Sequence, residues 1–125
     1  MKFVAFLFYL SALAALTPPA AAETPSKFTT GNVLYQDCTA TAGEVAKLVG
    51  GAHCVSYIIG VADAHTAMTV ISKTSPLFCI PGGATPGQLM DIVVGFLKSQ
   101  PAKRHYMAST LVIMALSESL PCAAK

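Results

Sequence analysis

Between Cys54 and about Ile71, one face of the chain carries Val55, Ile58, Ile59, Ala62, Thr66 and Val70 at the 3.6-residue period, which predicts a helix. Ser56, Gly60, Ala64 and Ala67 form a strip of small residues on its far side, where another backbone could approach closely. Asp63 is the only Asp, Glu, Lys or Arg in this stretch and sits at the margin of the apolar face. A helix with so little polar surface is expected to be the central, most buried one. Asp63 is then expected to be hydrogen-bonded inside the bundle, because a buried carboxylate needs a partner. A shorter helix is predicted over Gly31–Cys38, with Thr30 as its N-cap. The stretch "TATAG" interrupts the pattern, and Glu44–Val49 adds a helical turn before Gly50-Gly51.

The run "LFCIPGGATPGQLMDIVVGFLKSQP" predicts a shaped loop followed by a well-capped helix. Pro81-Gly82 suits a type II turn, with proline at the first central position and glycine supplying positive φ at the second. Thr85 is the expected N-cap, Pro86 takes the first helical position, and Gln88 completes a capping box. Leu89, Ile92, Val93, Phe96 and Leu97 mark the buried face, Asp91 and Lys98 face water, and Pro101 ends the helix near Gln100. A last helix is predicted over about Arg104–Ser119, with Ala108, Leu111, Val112, Ala115 and Leu116 facing the core. Met107 and Met114 widen that face as adaptable fillers. The expected fold is all-α: a small antiparallel bundle of about four main helices.

The chain's start changes how much of it enters that fold. Lys2 precedes an almost unbroken apolar run from Phe3 to Leu16, then Pro18-Pro19 and Ala20-Ala21-Ala22. This reads as a Sec signal peptide over 1–22, cleaved after Ala22, with no membrane anchor left behind. Residues 23–30 form a flexible lead-in and 31–125 the domain. Beyond the leader, seven basic residues meet six acidic ones, which leaves no electrostatic footprint for nucleic acid or an anionic membrane.

Export gives the four cysteines their meaning. An even number in an oxidising compartment reads as two disulfides. Pairing Cys54 with Cys79 would join the two ends of one long helix, on the order of 27 Å apart, whereas bridged Cα atoms lie within about 7 Å. In an up-and-down bundle, short connections make consecutive helices antiparallel neighbours. Only Cys38–Cys54 with Cys79–Cys122 then brings both pairs to common ends. Zinc is not expected, because no CxxC pair exists and His53, His65 and His105 do not fall at ligand spacing.

Catalytic signatures are missing. The chain has no GxSxG, HExxH, Walker loop or GxGxxG. Its carboxylates are scattered, and oxidised cysteines supply no thiolate. The composition points away from an enzyme, and no cofactor is implied.

The order of "VLYQDC", "CVSYIIGVADA", "FCIPGGATPGQLMDIVVGFLKSQP" and "LVIMALSESLPC" resembles the Rap/Tai family of immunity proteins. The resemblance spans about Gly31–Cys122. It rests on Cys54 with Tyr57, Gly60 and Asp63, the FCxP run with Gln88, and the closing Pro121-Cys122. It implies a periplasmic helical protein that binds and occludes a peptidoglycan amidase delivered by type VI secretion, and a possible homodimer. These positions report architecture, so no toxin-contact residue is carried over. Two other readings stay open: an envelope binding or chaperone-like protein of this fold with no toxin, and a carrier of small apolar ligands.

One local feature nominates a contact surface. Lys103, Arg104 and His105 stand where a helix is expected to begin, and the helix dipole disfavours cations there. A local rule broken without compensation can mark function. Arg104, with Tyr106 and Ile113 nearby, is therefore expected to contribute to a partner or dimer contact.

Overall fold

The computed structural model describes residues 28–123. The expected leader over 1–22 lies outside the described residues. Four α-helices follow one another: α1 (Gly31–Cys38), α2 (Glu44–Ser72), α3 (Pro86–Ser99) and α4 (Ala108–Ser119), with a 3-10 turn at Pro101–Lys103 between the last two. Among the described residues there is no β-strand, only an isolated bridge between Thr30 and Met107. The chain forms the expected all-α antiparallel bundle.

Helix α1 begins and ends where the sequence places it. The Thr30 hydroxyl accepts from the Val33 N–H. At eight residues the helix is too short to persist alone, and both of its ends are tied down. The Gly31 and Asn32 N–H groups donate to the carbonyls of Tyr106 and Arg104, at 3.0 and 2.8 Å. A side chain at Gly31 would meet Leu111 and, at 2.9 Å, the Arg104 carbonyl, so only glycine fits this approach. The Ala108 N–H donates to Thr29, so the end of the lead-in is part of the fold.

Helix α2 departs from expectation. It runs 29 residues without a break through Gly50-Gly51. Gly50 lies inside the helix because α1 crosses there: a Cβ would sit 2.7 Å from the Asp37 carbonyl and 2.9 Å from Ala40 Cβ. The glycine reflects a close helix crossing rather than a chain break. Nor is α2 the most buried element. Only Gly50, Cys54, Ile58 and Ala62 are buried, while Val70 on the predicted face is exposed. Asp63 is also exposed, and among the described residues no polar side chain is buried. The expected buried role for Asp63 is thus corrected. Helix α4 takes the central place, with all five predicted core residues buried.

Helix α3 carries the predicted capping box in full. The Thr85 hydroxyl accepts from the Gln88 N–H, and the Gln88 side chain accepts from the Thr85 N–H at 2.8 Å. Leu89, Val93, Phe96 and Leu97 are buried, and Ile92 is half-buried. The turn before it is shifted by one residue. Ala84 N–H donates to the Pro81 carbonyl, so Gly82 and Gly83 are the central pair and Gly83 takes the positive φ of 93°. Pro81 supplies the acceptor rather than a central residue.

Both expected disulfides form. Cys38–Cys54 has a Cα–Cα distance of 4.9 Å and Cys79–Cys122 one of 4.8 Å. Cys54 lies in the third turn of α2, not at its start, because the helix begins ten residues earlier. On the chain-entropy model the two bridges contribute about 3 and about 4 kcal/mol. That is comparable to the whole net stability of a small domain, about 5–15 kcal/mol.

The close crossing at Gly50 predicts a contrast between neighbours. Gly50→Ala should lower stability by about 1–3 kcal/mol in urea denaturation, through overpacking against α1. Gly51→Ala meets nothing within 4 Å and should be neutral or raise stability by up to about 1 kcal/mol through helix propensity.

Candidate functional site

The connection from α2 to α3 has no regular secondary structure, yet it is fixed at nearly every second residue. Helix α2 stops because Lys73 adopts the left-handed conformation, with φ at 53°. The Lys73 and Thr74 N–H groups both donate to the Thr69 carbonyl, which closes the helix end. Three residues later the Leu77 N–H donates to His65 Nε2 on α2, at 3.2 Å. The His65 ring also stacks on Phe78, with centroids 4.2 Å apart. Phe78 is buried and serves as the loop's apolar anchor.

The next residue is bonded twice. Cys79 N–H donates to the Leu120 carbonyl at 2.9 Å, and its sulfur is joined to Cys122 just beyond α4. The Pro81–Ala84 turn and the Thr85 capping box then lead into α3. Prolines at 76, 81 and 86 further restrict the backbone.

Between these anchors the loop displays apolar side chains. Leu77 is 61% exposed and Ile80 39%. No charged residue occurs between Lys73 and Asp91. An open groove of about 540 Å³ adjoins the loop, lined by Pro81, Ala84, Gln88, Leu89, Ile92 and Leu120 among others. Burying exposed aliphatic groups on a stiff, uncharged loop is favourable once a partner covers them, because little ordering is left to oppose it. Asp91 also lines the groove, and the exposed aliphatic side chains offer a contact by shape.

The residues singled out from the sequence fall elsewhere. Helix α4 begins at Ala108, so Lys103, Arg104 and His105 precede it and the expected conflict with its dipole does not arise. Arg104 instead serves the end of α3. Its Nε donates to the Leu97 carbonyl at 2.6 Å and its Nη2 to the Lys98 carbonyl at 3.4 Å, where the helix dipole favours a cation. Its guanidinium lies 3.7 Å from the centre of the Tyr35 ring. Tyr106 is half-exposed, with the His105 ring tilted against it at 4.3 Å. Ile113 is half-buried against the core.

Leu77 and Ile80 were not singled out from the sequence. Their signal lay in the alternation within "LFCI": one residue outward, one buried, one crosslinked, one outward. Nothing local announced that His65, twelve residues earlier, would fasten the loop.

The family model described as Rap1a immunity proteins matches residues 30–122. No curated protein matches the chain.

The contacts of Arg104 predict that charge alone will not replace it. Arg104→Lys should cost about 1–2 kcal/mol in thermal or urea denaturation, because lysine cannot span both carbonyls and stack on Tyr35. Tyr106→Ala, an exposed change, should stay within about 0.5 kcal/mol.

Proposed function

The chain belongs to the Rap1a immunity proteins, and from that premise we propose that it acts in the periplasm, binding and occluding a peptidoglycan amidase delivered by type VI secretion. The observation that carries this reading is the fastened loop over residues 73–85, which holds Leu77 and Ile80 out to solvent. Occluding an enzyme cleft requires only a surface that fits it and keeps water or substrate out. Preorganisation lowers the ordering cost of that contact. Inhibitors of this kind change shape little on binding.

Other features support the setting. Two disulfides among four cysteines suit an oxidising compartment, as the periplasm is. The absence of charge between Lys73 and Asp91 matches the centre of protein interfaces, from which charged residues are depleted. Tyr106 is a second contact in this proposal. Arg104 and Ile113 act behind it, the first by fixing the turn to α3 and the second by seating α4 in the core. A second copy of the chain is the other partner, supported by the apolar surface that α2 leaves exposed.

The test is co-expression in the periplasm with the product of the neighbouring open reading frame and with a panel of peptidoglycan amidases. The wild-type chain should suppress lysis by one of them and form a complex with it. Replacing both Leu77 and Ile80 by Asp should weaken that complex by at least about 30-fold, the equivalent of a hot-spot loss of about 2 kcal/mol. The melting temperature should remain close to wild type. Failure to bind any amidase, or undiminished binding by the doubly charged variant, would contradict the proposal.

A further inference from the structure

The two sulfur bridges stand in opposite surroundings. Cys54 has no exposed surface and belongs to the apolar core, with Cys38 packed half-buried against it. Cys79 is exposed and Cys122 half-buried, and neither belongs to that core. Around Cys79 the chain stays at the surface: between Ala62 and Leu89 only Phe78 is buried. The side chains beside it, Leu77 and Ile80, are exposed and apolar, and no charge occurs from Thr74 to Met90.

This difference decides which bridge a thiol can open. A disulfide is cleaved when a thiolate attacks one sulfur and the other leaves as a thiolate. At the inner bridge, burial closes Cys54 to attack. Attack at Cys38 would expel the Cys54 thiolate into apolar surroundings, where the charge is not solvated. At the outer bridge Cys79 is open to attack, and either sulfur leaves beside water. The uncharged apolar flank also suits contact with a thiol carried on another protein.

We propose that Cys79–Cys122 is a reduction site, opened by a dithiol while Cys38–Cys54 stays closed, and that its opening releases the 73–85 loop. One thiolate of the dithiol bonds to a sulfur of the bridge and expels the other, which takes up a proton. The second thiol of the reductant loses its proton and displaces the cysteine that was attacked. The reductant closes its own disulfide, giving up two electrons, and Cys79 and Cys122 are left as thiols.

Position sets the consequence. Cys122 lies just beyond α4, and its bond to Cys79 ties the end of that helix to the loop. Once it opens, Cys79 keeps only its backbone bond to Leu120. Neither sulfur of this bridge is part of the core cluster, so the bundle outlasts its loss. Leu77 and Ile80 are then no longer held in fixed positions. That this weakens binding of a target rests on the occlusion reading above; the selectivity of reduction does not.

The experiment exposes oxidised protein, purified from the periplasm, to dithiothreitol in one arm and to a Cys-x-x-Cys oxidoreductase in the other. Samples are quenched by alkylation at intervals and mapped by mass spectrometry. In both arms Cys79 and Cys122 should be alkylated at least about tenfold faster than Cys38 and Cys54. The faster arm identifies the source of the dithiol as free or protein-borne. Equal rates at all four cysteines, or earlier alkylation of Cys38 and Cys54, in either arm overturn the proposal. The selectively reduced protein should keep its helical circular dichroism, while its Leu77 and Cys79 amides exchange at least about tenfold faster than before. A double variant, Cys79→Ser with Cys122→Ser, gives the same measurement without an alkyl group. Unchanged exchange in both would overturn release of the loop. Amidase binding is scored separately on oxidised and reduced protein. A chain that binds no amidase in either state contradicts the occlusion reading, whereas equal binding in both states contradicts only the control of binding by this bridge.

Discussion

The bond between Cys38 and Cys54 holds the last turn of α1 against α2 at the level where Gly50 leaves no room for a side chain. Cys54 has no exposed surface, so this crosslink is part of the core rather than a clasp upon it. Much follows from that fixed contact. Helix α1 is too short to form unaided, yet it must stand in place for Gly31 and Asn32 to donate to the 104–106 backbone and for Tyr35 to receive the Arg104 guanidinium. Those bonds set the connection from α3 to α4, and α4 fills the centre. A bundle with fourteen buried apolar side chains among the described residues has little to spare, and the covalent constraint lets so small a core specify one arrangement.

The second crosslink does for the loop what the first does for the helices. An irregular segment gains no cooperative ladder of backbone bonds, so it must be held point by point. Here the points are of different kinds: a histidine acceptor, a buried phenyl ring, a backbone pair with Leu120, a sulfur bridge and a glycine turn. Their combined effect is to keep two aliphatic side chains outward although water disfavours them there. Stability alone does not call for that arrangement. The proposed occluding surface does.

How much of this was legible along the chain depended on whether the deciding interaction was local. The caps at Thr30 and Thr85, the stop before Pro101 and the buried face of α4 were readable, because each depends on residues within a turn or two. The sulfur pairing was readable as well, since helix length and antiparallel packing leave only one arrangement that reaches. Gly50-Gly51 misled because a glycine that admits a neighbouring helix and one that ends a helix look alike in sequence. Only the position of Asp37 and Ala40 distinguishes them. Arg104 misled for a related reason: its contacts are the Leu97 and Lys98 carbonyls and the Tyr35 ring, all three on helices other than the one it was assigned to. The prominence of α2 was overestimated because an apolar helix was equated with a buried one, and Val45, Leu48, Val70 and Ile71 are exposed on it.

Rigidity of the 73–85 loop is the central claim, and amide hydrogen exchange in the oxidised protein reports on it directly. The Leu77 and Cys79 amides, bonded to His65 and Leu120, should exchange orders of magnitude more slowly than in an unstructured peptide, at rates approaching those of the neighbouring helices. Exchange of both amides at the unstructured rate, with the core of α4 still protected, would show a mobile loop and contradict the account.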